Sequence, residues 1–207
     1  MRTLLVVAAS CLLTLPLPGQ EPGEWMSSLE HAKDYVQHRS SSYDRSGGNA
    51  DARPVAPGET LTLLDENGPG LITHIWVTIA SDDPYHLKAL VLRAYWDGET
   101  TPSVEAPIGD FFGLGLGDYH LYQSIPLQVS SDKALNCFFP MPFQKHARIT
   151  VTNEGGIKTD AFTSTSTTAL IASRYRPISF IFTRNIVRRR PLMVGPINGS
   201  RTATWTT

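Results

Sequence analysis

Beyond about residue 55 the chain is a series of short apolar and β-branched runs divided by turn formers. The runs are Thr60–Leu64, Leu71–Ala80, Lys88–Trp96, Ser103–Pro107, Ala134–Phe139 and Ala147–Asn153. Pro57-Gly58, Asn67-Gly-Pro-Gly70, Ser81-Asp-Asp-Pro84, Asp97-Gly98 and Gly113–Asp118 separate them. Asp97-Gly98 predicts a tight turn, because glycine takes a positive φ without steric cost. A helical period is visible only over Ser28–Gln37, where Leu29, Ala32, Tyr35 and Val36 fall on one side and predict a short helix. Many short strands without regular helix alternation predict a mainly β fold, an antiparallel β-sandwich or jelly roll behind a short N-terminal helix.

The first twenty residues have the pattern of an export signal. Arg2 supplies the positive start, and Leu4–Leu15 is apolar except for Ser10 and Thr14. The run is shorter than the ~20 apolar residues of a membrane span. A secreted or periplasmic protein is expected, with lipid anchoring through Cys11 as the lesser alternative. Removal of the signal leaves Cys137 alone, so no intrachain disulfide and no cysteine zinc site are expected.

Composition is ordinary for a globular chain, with 41% hydrophobic and 18% charged residues and a net charge of −1. That balance argues against a general nucleic-acid or anionic-membrane binder. It also conceals a division. Residues 1–160 hold all 19 acidic residues and 11 basic ones, whereas residues 161–207 hold seven Arg and neither Lys nor acid.

No Gly-x-Ser-x-Gly elbow, zinc-binding His-Glu-x-x-His helix or Walker loop is present. Gly113-Leu-Gly-Leu-Gly117 is misspaced for a dinucleotide fingerprint and predicts a loop. The six histidines are scattered, and His74, inside an apolar run, is expected to be a satisfied sheet residue. No cofactor and no metal site are expected. The densest polar stretch is Ser41-Ser-Tyr-Asp-Arg-Ser-Gly-Gly-Asn-Ala-Asp51. Carboxylates and amides suit sugar hydroxyls and Tyr43 offers a stacking face. From residue types alone, an Asx-turn loop that binds its own backbone, with Arg45 paired to an acid, is the better explanation of the stretch.

Those residues, together with Gly68-Pro-Gly-Leu-Ile-Thr-His-Ile-Trp76, Tyr95-Trp-Asp-Gly98 and Pro107-Ile-Gly-Asp-Phe-Phe-Gly113, resemble glycoside hydrolase family 172. Asn136-Cys-Phe-Phe-Pro-Met-Pro-Phe143 and Ile149-Thr-Val-Thr-Asn-Glu154 extend the resemblance, so that six motifs in order cover about 41–160. The family is also catalogued as domain of unknown function 2961. The resemblance implies the N-terminal half of a tandem jelly roll, assembled as trimers or double trimers. It implies furanosidase-type members acting on fructofuranose or arabinofuranose linkages, and a carbohydrate partner. It also raises Tyr43, Asp44, Arg45, Asn49 and Asp51 to candidate substrate-binding residues. The family's retaining chemistry uses two Glu, whose carboxyls in such enzymes stand about 5–5.5 Å apart. In the family these lie beyond the stretch seen here at Asn153-Glu-Gly155, so no catalytic residue is carried over. Asp44, Asp51 and Asp110 are binding or structural candidates. A non-catalytic carbohydrate-binding or scaffold jelly roll is the alternative.

The resemblance stops near Phe162. As a basic arm, Arg188-Arg-Arg190 could meet nucleic acid, but interleaved Thr, Ile and Phe do not suit that role. No nucleic-acid partner is expected. A shifted reading frame explains the text better. The family continues with a strand like Tyr-Phe-Asn-Ile-Asp-Tyr, and one encoding of it followed by Arg, TAC TTC AAC ATC GAC TAC CGC, read one nucleotide late gives Thr163–Ala169 without mismatch. Permitted encodings of Ile178–Arg190 and Asn198–Thr207 likewise return text of ordinary composition in the same shifted frame. The expected organisation is a signal over 1–20, a helix and polar loop over 21–54, a jelly-roll module over 55–162, and an out-of-frame, poorly structured tail over 163–207. The expected product is a truncated, inactive fragment.

Overall fold

The alternating runs fold into strands of two facing antiparallel sheets, a β-sandwich of the jelly-roll class. A computed structural model describes residues 32–131 and 133–171. The strands are β1 (Tyr35–Ser41), β2 (Arg53–Val55), β3 (Thr60–Asn67), β4 (Gly70–Ser81), β5 (Leu90–Trp96) and β6 (Val104–Pro107). They continue as β7 (Tyr122–Gln123), β8 (Leu127–Val129), β9 (Leu135–Cys137), β10 (Met141–Phe143), β11 (His146–Asn153) and β12 (Thr159–Ile171). Two single helical turns interrupt them, α1 (His86–Ala89) and α2 (Ile108–Phe111). The larger sheet runs β1-β12-β4-β9-β8-β7, with β10 added to β4 and β2 added to β12. The smaller runs β3-β11-β5-β6.

Burial follows the pleat. Along β4, Ile75, Val77 and Ile79 are buried while His74, Trp76 and Thr78 stay half-buried on the other face. Opposite them the smaller sheet contributes the cross-strand row Leu64–Ile149–Ala94–Val104. Phe112 and Phe162 are fully buried and, with Leu135 and Cys137, belong to the same core. Truncating a phenylalanine in such a core costs about 3–5 kcal/mol.

The Gly68-Pro-Gly70 motif has a packing cause. A Cβ on Gly68 would lie 2.8 Å from the Phe143 ring, and one on Gly70 only 2.6 Å from it. The bare backbone lets β10 close on the start of β4, where Phe143 pairs with Gly70. Asp97 and Gly98 both take positive φ, 53° and 90°. Asp97 then uses one carboxylate oxygen, Oδ1, to accept the N–H groups of Gln144, Lys145 and His146 at 2.9, 2.6 and 3.2 Å. The tight turn thus also anchors the start of β11.

Two expectations need correction. Tyr35, Val36 and Gln37 lie in β1, paired with Ile171, Leu170 and Ala169, and not in a helix. Ala32–Asp34, the described end of the separate unit Met1–Asp34, carries no regular element. Tyr35 and Val36 are exposed, so the helical spacing had no core to face; pairing along the β12 edge satisfies the backbone instead. The second correction concerns the tail. Residues 163–171 are not poorly structured: they complete β12, which lies between β4 and β1. Thr and Ser suit a paired strand through backbone hydrogen bonds regardless of side-chain polarity. The expected signal, the first part of the expected helix and residues 172–207 lie outside the described residues.

Candidate functional site

The polar stretch is a loop rooted on the edge of the larger sheet. At its root Ser42 N–H donates to Ser164 O at 3.0 Å, and Ser164 N–H returns a bond to Ser42 Oγ at 3.0 Å. The chain then leaves the sheet and folds on itself. Asp44 Oδ1 accepts from Ser46 N–H at 2.9 Å and Ser46 Oγ at 2.7 Å, and its Oδ2 accepts from Ala50 N–H at 3.3 Å. Asp51 Oδ1 accepts the Asp44 N–H at 2.7 Å. The Ser46 hydroxyl, then the Ser46 and Ala50 N–H groups, hold the Asp44 carboxyl below the usual carboxylate range.

All five candidates therefore share one loop, but they divide by role. Asp44 and Asp51 tie the loop's own backbone, as the Asx-turn reading of the residues required. Tyr43, Arg45 and Asn49 are exposed. The Arg45 guanidinium lies 6.0 Å from the Tyr43 ring centroid, so an aromatic face and not an acid is its neighbour.

The remaining carboxylates are engaged in ways that suit structure. Asp110 pairs with Lys88, whose ammonium also donates to Gly115 O. Glu105 and Glu154 flank Arg93. Desolvation opposes the Arg93 charge, but the hydrogen bonds it donates to Glu154 and Glu105 outweigh it and raise its pKa. Among the described residues no group of three or more His, Cys, Asp or Glu side chains is placed to hold a metal ion. Cys137 is buried, and that burial pushes its thiol pKa up.

The residue reading missed an array beside the loop. On the outer face of the larger sheet, Trp76 pairs with Thr165 on one side and Asn136 on the other. Thr165 continues to Ser41, and Asn136 continues through Gln128 to Gln123. Directly paired residues share a face, so these six side chains form one cross-strand row. Next to it His74 is the satisfied sheet residue the sequence suggested: its ring stacks on Phe138 at 4.5 Å and 4°, and Nε2 is 3.0 Å from Asn136 Oδ1. The available signal was the alternation His74-Ile-Trp76 in β4. The row itself needed the strand register.

A family model described as GH172 domain-like matches residues 49–165, more than half of the chain. The chain belongs to this family. The matched span of the GH172 domain takes in the core strands of both sheets and reaches into β12, and the polar loop enters it at Asn49. No curated protein matches the chain. Among solved structures, infectious bursal disease virus, Gt strain, is similar at 11% identity and a TM-score of 0.33, over 68% of this chain and 34% of that one. A serine protease of Aeromonas sobria is similar at 13% identity and a TM-score of 0.28, over 70% and 28%. The GH172 chain thus spans about a third of the length of these structures. Likenesses at this level carry no functional weight.

Proposed function

We propose that this chain is the N-terminal part of a secreted or periplasmic furanosidase-type glycoside hydrolase. The parent acts on fructofuranoside or arabinofuranoside linkages, as a trimer or double trimer. The GH172 match over residues 49–165 carries the reading. In the parent, Tyr43, Arg45 and Asn49 contact the sugar, while Asp44 and Asp51 hold the loop that presents them. The 207-residue chain itself is inactive. Retaining hydrolysis needs a carboxylate nucleophile and a separate acid/base, and the family's Glu pair lies past the matching text.

The second, non-catalytic reading is a carbohydrate-binding or scaffold jelly roll. It is favoured by the pairing of Glu105 and Glu154 with the Arg93 guanidinium, a structural role for both carboxylates.

The deciding experiment compares this chain with a gene whose frame is restored after Phe162 and read to its natural stop. Both are assayed on p-nitrophenyl arabinofuranoside and on a fructofuranosyl disaccharide. Turnover is expected only from the restored protein, where Asp44→Ala should weaken substrate use more than stability. Binding without turnover by the restored protein would favour the scaffold reading. Turnover by the present chain would refute the missing-carboxylate argument.

A further inference from the structure

We infer that the outer face of the larger sheet is a binding platform for an uncharged oligosaccharide, organised on the cross-strand row Ser41–Thr165–Trp76–Asn136–Gln128–Gln123. The inference deepens the carbohydrate reading above and rests on it for the class of ligand. It concerns a different element from the polar loop.

Each feature of the row selects for sugar. It contains two hydroxyls, three amides and one indole, with no acid and no base. Amides and hydroxyls both donate and accept, which matches a ligand whose groups do the same. Trp76, half-buried in the centre, offers an apolar ring face and one N–H donor. Its flanks are Thr165 and Asn136, so stacking and hydrogen bonding are available side by side.

The neighbouring contacts pre-orient the row. His74, held flat against Phe138, places Nε2 at 3.0 Å from Asn136 Oδ1. With that oxygen engaged, the amide nitrogen of Asn136 is left to donate. Among the described residues, the Trp76 N–H and the Gln128 and Gln123 amides have no protein partner. These are half-exposed or exposed groups, satisfied by water until a ligand replaces it.

Length and charge narrow the occupant. Five inter-strand steps span about 24 Å, room for several sugar units end to end. The row itself is neutral, and Arg39, one row away on the same face, is a single charge and not the basic cluster that an acidic glycan or nucleic acid calls for. Its one apolar member, Trp76, is flanked on both sides by polar Thr165 and Asn136, not by the broad apolar centre that a stable interface between two copies of the chain would need. The row ends at Ser41, next to Ser42 at the root of the polar loop, so a glycan lying on it would point toward that loop.

The test uses the full 207-residue chain in calorimetric and tryptophan-fluorescence titrations. The probes are a neutral fructo-oligosaccharide, a neutral arabinofuranosyl oligosaccharide and an acidic oligogalacturonide. Saturable binding of at least one neutral probe is expected, and none of the acidic one. Gln128→Ala should weaken binding about 2- to 10-fold, the loss of one neutral hydrogen bond. Trp76→Ala should weaken it about tenfold or more, with Trp76→Phe retaining most of the affinity. Circular dichroism checks folding, and Gln128→Ala, on a half-exposed position, remains informative if Trp76→Ala unfolds. Absence of saturable binding, equal binding of the acidic probe, or indifference to both Gln128→Ala and Trp76→Ala would overturn the platform. Furanoside turnover by the restored protein is a separate readout. Turnover with unchanged binding in the row variants refutes the platform alone. Row-dependent binding without turnover refutes only the hydrolase reading.

Discussion

Asp51 Oδ1 accepts the backbone N–H of Asp44 at 2.7 Å, closing the polar loop on itself. The bond makes one of the two acids a clasp for the other, whose own oxygens order Ser46 and Ala50. Asp51→Ala is therefore expected to loosen the loop and cost about 1 kcal/mol, read from the denaturation midpoint. The bonds to Asp44 add a pH dependence. Its carboxyl titrates lower in the folded chain than in the unfolded one. The stabilisation is thus complete at neutral pH and is lost as pH falls through the folded value. Amide exchange at Ser46 and Ala50 should lose protection in acid, and Asp44→Ala should abolish that pH dependence. Protection that is the same with and without Asp44 would refute the clasp.

The Phe143 ring closes against the glycines that begin β4. A Cβ on Gly70 would stand 2.6 Å from Phe143 Cζ and 3.2 Å from Leu170 Cδ2. Both neighbours are packed side chains, so Gly70→Ala is expected to destabilise by about 1–3 kcal/mol through overpacking. The double variant with Phe143→Leu should recover part of that loss, a non-additivity read from a double-mutant cycle. Losses that simply add in the cycle would mean that the Phe143 ring does not set the glycine.

Much of this architecture was legible because strands bury one face in two. The runs at Thr60–Leu64, Leu71–Ala80 and Ala147–Asn153 fall within β3, β4 and β11, and the turn clusters fall between strands. The candidate loop was legible as a polar cluster, but not the division of its residues. Whether Asp44 faces a ligand or its own backbone depends on φ and ψ, which residue types do not specify. The Tyr35–Gln37 stretch misled because an apolar spacing suits a helix only where a core faces it, and here a sheet edge was the nearer partner. The Trp76 row was illegible for another reason. Its six members come from six strands, and their alignment is a matter of register between segments far apart in sequence.

Tyr119 supplies a prediction at alkaline pH. Its hydroxyl is 3.1 Å from His86 Nε2, and burial pushes the phenol up to about 12. The fold favours the neutral phenol, so its contribution to stability is intact below the unfolded value of 10.0 and is lost as pH rises toward 12. Alkaline unfolding should ease over that interval, and Tyr119→Phe should remove the component. An ultraviolet difference titration assigning Tyr119 an ordinary phenol midpoint would contradict the burial argument.

The last prediction concerns the inner face of β12, where Ser164, Ser166 and Thr168 are buried among core residues. Two of the hydroxyls, Ser166 Oγ and Thr168 Oγ1, have no hydrogen-bond partner among the described residues. A buried hydroxyl without a partner costs about 1–3 kcal/mol. Replacing it with an apolar group of similar shape removes that penalty, so Ser166→Ala and Thr168→Val should each stabilise by about 1 kcal/mol. A shifted reading frame, if present, would place such residues there. In one permitted encoding of 163–168, the text read one nucleotide earlier gives Tyr-Phe-Asn-Ile-Asp-Tyr. Its apolar Phe and Ile and its second Tyr then fall on the buried positions 164, 166 and 168, while Asn and Asp fall on the half-exposed 165 and 167. Equilibrium denaturation of the two variants tests the hydroxyl penalty, and the nucleotide sequence around codon 162 tests its origin. Destabilisation by both variants would show that the hydroxyls are satisfied. Codons incompatible with the shifted text would leave the polar strand as a native feature of this chain.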